Sequence, residues 1–386
     1  MNKLDHYLSP AFVREGAEMV FANALRNETH FRYDESKLKP TVDFVLEVIR
    51  ENYPDLKIPF HSRWGHFRVG GIDRMSWIRK KHAGVDPLEM ARIQFDLVIP
   101  SVLLDAGAGP DWKYFETETN KTYNRSEGLG VASFHLLYSG MLPSTADGLK
   151  NITENHVARA FQVSPENPLV GLSGRTGLLN QLGRVLENPV YFKDHRPGSL
   201  VDYLVQTHGS TIPAREVLKA VLLSLGPIWP GRLEYEGVNL GDAWKHSKFG
   251  MIGFHKLSQW MTYSLLEPLM EAGLTITGVQ ELTGLAEYRN GGLFLDSGLI
   301  TFQDQALANI PHHPSSDLIL EWRALTVALL DRVGAEIQNS LGKTPDEFPL
   351  AKVLEGGTWW AGRKIAKLNR NSSEPPIRIV SDGTVF

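Results

Sequence analysis

Residues 86–109 read DPLEMARIQFDLVIPSVLLDAGAG. Met90, Ile93, Leu97 and Val98 recur at spacings of three and four, the period of a helix with one apolar face. Asp86 is placed to cap that helix and Pro87 to occupy its first position, where a missing N–H costs nothing. The same reasoning predicts an interruption near Pro100 and an end at the small-residue run 106–109.

Helical spacing recurs over residues 10–25, 42–49, 126–138, 177–186, 213–225, 254–272, 318–333 and 352–368. Strand signals are few and short, at 156–163, 298–302 and 377–380. Neither the regular short strands of a β-sandwich nor the strand–helix alternation of a Rossmann domain is present. The expectation is a mainly α fold with a few short strands. Loops are expected near 139–148, 187–199 and 226–241. A weak boundary near 145–170 suggests an N-terminal helical part, 1–150, and a C-terminal helical part, 151–386, or one continuous domain.

The chain has 386 residues, 42% hydrophobic and 22% charged, with net charge −4. That is enough for a large core. No basic excess argues for nucleic acid, and no acidic tail argues for a solvating role. There is no cysteine, which excludes disulfides, zinc–thiolate sites, iron–sulfur clusters and a cysteine nucleophile. The first residues lack a signal-peptide pattern, and no apolar run reaches membrane-spanning length. A cytoplasmic protein without membrane or nucleic-acid partners is expected, as a monomer or small homo-oligomer.

Phosphate-loop, GxSxG, HExxH and GxGxxG patterns are absent. His61 and His66, and the adjacent His312 and His313, lack metal-ligand spacing on a helix face, so no metal and no cofactor are expected. Gly171-Leu172-Ser173-Gly174-Arg175 reads either as an anion cradle ahead of a helix or as a turn with Arg175 on the surface. Asp105 follows an apolar run and precedes AGAG, with Trp112 close behind. It reads as a pocket carboxylate or as a residue that merely ends its helix. Ser126 and Glu127 open the next helix and suit a cap and a dipole partner. His255, Lys256 and Gln259 project from the first turns of a long hydrophobic helix, where Lys256 suits an anion or a solvated turn. In LTGLAEYRNGG (282–292), Glu287, Tyr288, Arg289 and Asn290 precede Gly291-Gly292. That cluster is either a site approached closely over the glycines or a helix-ending charged turn.

Six segments together resemble the uracil catabolism protein 4 family: VLLDAGAGPDWKY (102–114), RSEGLGVASF (125–134), FHKLSQWMTYSLLEPL (254–269), LTGLAEYRNGG (282–292), EWRALTVALLD (321–331) and SDGTVF (381–386). Their order also resembles, more distantly, the queuosine 5′-phosphate N-glycosidase family. That family's Phe-Tyr-Lys-Arg-Ala-Gln helix start is matched at Phe254, Lys256 and Gln259. Its Ala-Asp-Tyr-Arg motif is similar to Ala286-Glu287-Tyr288-Arg289, with Glu in place of Asp, and its Glu-x-Arg pair corresponds to Glu321 and Arg323. Leu257 stands where that family has a cation.

The resemblance implies a helical DNA-glycosylase-like core and a hydrolase that cleaves the N-glycosidic bond of a ribose phosphate, either a nucleotide or a ureidoribose 5-phosphate. On that chemistry Glu287 is expected as the catalytic carboxylate, Asp105 as a second catalytic acid or a ribose-hydroxyl contact, and Arg289 and Lys256 as the phosphate contacts. His255, Tyr288 and Asn290 would complete the site, with Glu127 and Arg175 as further substrate contacts. Trp229 or Trp112 would stack on a planar leaving group. The alternatives are a non-catalytic nucleotide-binding protein and an amidohydrolase acting on the ureido group. SDGTVF at the carboxyl terminus reads as an edge strand or as a segment closing over the pocket.

Overall fold

The computed structural model describes residues 2–105, 107–229, 232–370 and 374–380; the segment 381–386 lies outside them. The fold is mainly α, with only short strands, as the periodicity predicts. The chain forms two compact units interleaved along the sequence. Of the described residues, one is built from 2–61, 232–259 and 278–380, the other from 62–229 and 260–277. The division falls inside the helix Lys256–Glu271.

The first unit is organised on the helix Asp317–Leu341. Every residue from Leu318 to Leu330 is buried, including Glu321, Arg323 and Thr326. A helix buried all round belongs to the middle of a core rather than its surface. Pro10–Ala24, Leu38–Asn52 and Tyr288–Asp296 pack against it. Three antiparallel pairs lie in this unit: Phe31–Tyr33 with Ile300–Phe302, Glu234–Tyr235 with Val238–Asn239, and Ala243–His246 with Gly250–Gly253. The expected helix over 352–368 is instead three pieces. Leu350–Val353 and Trp359–Asn369 flank a single π-helical stretch, Leu354–Thr358. That stretch holds Gly356 and Gly357, where a Cβ would fall 2.5 Å from Ile58 and 2.6 Å from Val45.

In the second unit, Asp86 caps the helix Pro87–Leu103 as predicted, its Oδ1 accepting from the backbone N–H of Leu88 and Glu89 at 3.0 and 3.1 Å. The predicted interruption at Pro100 is absent. An interior proline strips the carbonyl four residues earlier of its helical donor. Here that carbonyl belongs to Asp96, and the Ser144 hydroxyl donates to it at 2.7 Å. Pro268, inside Lys256–Glu271, repeats the arrangement: the Trp64 indole N–H donates to the Ser264 carbonyl at 2.6 Å. The strand expected over 156–163 is also corrected. Thr153 forms a capping box with His156 and starts the helix Glu154–Ala160. Its buried residues, Val157, Ala160 and Phe161, follow spacings of three and four, not two. In the third expected strand segment, Ile379 makes an isolated bridge to His312.

Candidate functional site

The cluster at 282–292 does not end a helix. Glu287 begins one, as N-cap of Tyr288–Asp296. Its Oε2 accepts from the Arg289 backbone N–H at 2.7 Å, and its Oε1 from that of Asn290 at 2.6 Å. Both glycines lie inside the helix. A Cβ on Gly291 would stand 2.8 Å from Thr326 Oγ1 and from Trp322 Cε2, so glycine is what lets this helix press on Asp317–Leu341. The Trp322 indole N–H donates to the Gly291 carbonyl at 3.1 Å. The close approach serves helix packing, which fixes the height at which Glu287 sits.

Three further segments of the same unit are tied to this helix start. Arg323 donates from Nη1 and Nη2 to the two carboxylate oxygens of Asp242, at 2.9 and 2.6 Å. Its Nε donates to the Ala286 carbonyl at 3.3 Å, and its guanidinium lies 4.0 Å from the centre of the Phe254 ring. Asp242 also accepts from the Trp244 indole N–H at 2.6 Å and the Lys256 backbone N–H at 3.1 Å. The first turn of Lys256–Glu271 and the first turn of Tyr288–Asp296 are thus joined through the Asp242–Arg323 pair.

His255, between hairpin and helix, has φ +47, a left-handed backbone that costs a non-glycine residue free energy. Its buried ring donates from Nε2 to the Tyr7 carbonyl at 2.8 Å, which leaves Nδ1 as the acceptor of the neutral tautomer. Burial pushes the His255 pKa down.

Electrostatics separates the two carboxyls. Burial alone would raise Asp242, but Arg323, the Trp244 N–H and the Lys256 N–H hold it well below the usual carboxylate range. Glu287 is pushed up by burial. Its two backbone donors and the Lys256 and Arg289 charges offset this only in part. Arg289 is buried, with its guanidinium 4.9 Å from the half-buried Tyr288 ring. Asn290 donates from Nδ2 to the Leu285 carbonyl at 3.2 Å. Its Oδ1, the His255 Nδ1 and both amide atoms of Gln259 are buried without a hydrogen-bond partner. Orphaned buried polar atoms are rare, and each needs a reason.

Asp105, Glu127, Arg175, Trp112 and Trp229 belong to the second unit. There the fully buried Arg63 donates to Asp105 Oδ1 at 2.6 Å and to the Ser101 hydroxyl and carbonyl at 2.7 and 2.9 Å. The Ser126 hydroxyl reaches Asp105 Oδ2 at 3.3 Å, so Ser126 does not cap the helix Arg125–Tyr138; Asn124 stands at that position. Arg175 is not on the surface. It is buried within the helix Leu172–Val185, donates to the Gly107 carbonyl at 2.9 Å, and is brought down to about 10 by burial. Trp112 is fully buried, its N–H on the Phe161 carbonyl at 2.9 Å and its ring against Phe161, which makes it a packing residue. Trp229 and Glu127 are half-buried.

The family model described as "Protein of unknown function (DUF1688)" matches residues 6–386. The chain belongs to this family. It is 42% identical to "Protein urg3" of Schizosaccharomyces pombe, over 98% of each chain. It is 38% identical to "Uracil catabolism protein 4" of Lachancea kluyveri, over 100% of this chain and 99% of that one.

In this DUF1688 chain the residue that reading the sequence missed is Asp242. It lies 81 positions from Arg323, so no local pattern joins them. Arg323 was visible only as a motif match, Gln259 also as a polar residue in the first turns of its helix. Glu321, paired with Arg323 in that motif, turns instead to His30, accepting from its backbone N–H and facing its ring Nδ1. Among the described residues one group has metal-ligand proximity: Glu116, Glu118 and His135, in the second unit. Glu116 is already held bidentately by Arg74, with both contacts at 2.6 Å, and by the Thr119 hydroxyl and His135. Burial opposes its charge, but these partners bring it to about 2. A cation would have to displace Arg74.

Proposed function

We propose that this protein is an enzyme of uracil or pyrimidine catabolism that hydrolyses the N-glycosidic bond of a ribose-phosphate substrate. The pathway is carried over from the name of the Lachancea kluyveri relative. One observation supports the chemistry above the others: Glu287 is a buried carboxyl of raised pKa, fixed at a helix start beside Lys256 and Arg289.

In this reading water attacks C1′ and the C1′–N bond breaks. Positive charge grows on the ribose ring and negative charge on the departing nitrogen. Glu287 in its charged form stabilises the ring and accepts the proton of the attacking water, and that proton is then passed to the departing nitrogen. The products are a free ribose phosphate and the released base or urea. A carboxyl whose pKa is raised by burial suits a group that must both hold and release a proton. Arg289 offers a planar fork and Lys256 a point charge for the phosphate. Asp242 and Arg323 hold the two helix starts in register and take no part in bond breaking.

The test is to incubate purified protein with pyrimidine nucleotides and with ureidoribose 5-phosphate, following free base, urea and ribose phosphate. Release of base or urea together with ribose phosphate is the expected result. Ammonia and carbon dioxide released with the glycosidic bond intact would identify an amidohydrolase. Tight binding without turnover would identify a binding protein.

A further inference from the structure

The unpartnered atoms at the two helix starts have a chemical signature. Gln259 is fully buried, yet neither its amide oxygen nor its amide nitrogen has a partner. His255 directly precedes the same helix, and its Nδ1 is an acceptor because Nε2 carries the proton given to Tyr7. The Gln259 amide oxygen and Asn290 Oδ1 are two further acceptors; one N–H of Asn290 Nδ2 goes to the Leu285 carbonyl. All three residues stand on the segments that Asp242, Arg323 and Glu287 lash together. A folded protein that leaves such atoms bare gives up free energy for each one. Three acceptors and one donating amide group call for a ligand that presents several N–H groups around one carbonyl.

We propose that Gln259, with His255 and Asn290, binds a ureido group, –NH–CO–NH2. Its three N–H bonds face the three acceptors, and its carbonyl takes the Gln259 N–H. An N1-substituted uracil ring, with one N–H and two carbonyls, matches this set poorly, and ribose hydroxyls do not need a paired donor and acceptor. The assignment rests on the hydrolase reading for its place in a reaction: it makes urea, rather than an intact pyrimidine, the leaving group. As a binding site it stands without that reading.

The experiment measures binding by saturation-transfer NMR and calorimetry with N-methylurea, uracil and ribose 5-phosphate as separate probes, on wild type, Gln259→Leu and Gln259→Glu. Wild type is expected to favour N-methylurea over uracil. Both variants should lose roughly tenfold or more of the N-methylurea affinity, because a site built to bond a polar group is left with nothing equivalent. Ribose 5-phosphate affinity should stay unchanged. Gln259→Leu should also melt at a higher temperature than wild type without ligand, since it removes two bare polar atoms from the interior. A structural glutamine would give the reverse. Equal N-methylurea affinity in wild type and Gln259→Leu, a preference for uracil, or no N-methylurea binding up to its solubility each overturns the proposal. Should Gln259→Leu fail to fold, Gln259→Met carries the same comparison. The probes bind without being cleaved, so an absence of turnover on ureidoribose 5-phosphate with N-methylurea binding intact would defeat the hydrolase reading alone.

Discussion

Asp242 and Arg323 meet fork to fork, two parallel N–H···O bonds at 2.9 and 2.6 Å with the guanidinium side chain almost wholly buried. Removing one member of such a pair leaves the other charge without compensation, which costs about 3–5 kcal/mol. Arg323→Met is therefore expected to lower the unfolding free energy by that amount, read as an earlier urea midpoint, and adding Asp242→Asn should recover part of it. Asp242 is held below its unfolded pKa. Its contribution to stability is thus complete above about pH 4 and disappears as pH falls through the lower folded value. Equilibrium unfolding across the acid range should be steeper for wild type than for the double variant.

Glu287 titrates in the opposite direction. Its folded pKa lies above the unfolded one, so the folded state binds the proton more tightly. Stability from this group falls as pH rises from about 4.5 through the folded pKa. Glu287→Gln should remove that slope, seen as a flatter melting temperature between acid and neutral pH. The same variant should lose about a hundred- to ten-thousand-fold in turnover on the cleaved substrate while still binding ribose 5-phosphate. Wild-type turnover in Glu287→Gln would refute its catalytic role.

Gly291→Ala puts a methyl group 2.8 Å from Trp322 and Thr326. Overpacking of this kind costs about 1–3 kcal/mol. It should also displace the start of the helix that carries Glu287, so turnover should fall along with the melting temperature. Gly174→Ala, where a Cβ meets nothing within 4 Å, serves as the control: turnover should be unchanged and the melting temperature no lower, since alanine favours a helix over glycine.

Trp64→Phe and Ser144→Ala each unmask a carbonyl beside an interior proline. A buried acceptor left bare costs about 1–3 kcal/mol, so both variants should unfold at lower denaturant. Replacing the prolines restores the missing N–H. Trp64→Phe combined with Pro268→Ala should therefore be less destabilised than the sum of the two single changes.

These two prolines show where local reading stopped. The helix over 86–109 was legible from its cap and its spacing, yet its passage through Pro100 depends on the Ser144 hydroxyl, 48 positions beyond the Asp96 carbonyl it bonds. Glycines misled in a similar way. Gly291 and Gly292 left a helix-ending turn open, but both sit inside a helix, where a Cβ on Gly291 would strike Trp322 and one on Gly292 would press on Pro376. At the site, Glu287, Arg289, Lys256 and His255 stood out as polar residues in apolar surroundings. Asp242 did not, because its importance lies in a partner that only the folded chain brings to it. Trp112 was conspicuous for its size, and its burial against Phe161 accounts for it.

The carboxyl of Glu287 is also the clasp of its own helix. Each proton it takes up turns a charged acceptor into a neutral one for the amides of Arg289 and Asn290, and such bonds are about half as strong. The protonation state is therefore written into the breathing of the helix. Amide hydrogen exchange at positions 289 and 290 should quicken as pH falls through the Glu287 pKa, relative to the chemical rate. The backbone would then report, without any substrate present, which half of the acid–base cycle the protein occupies.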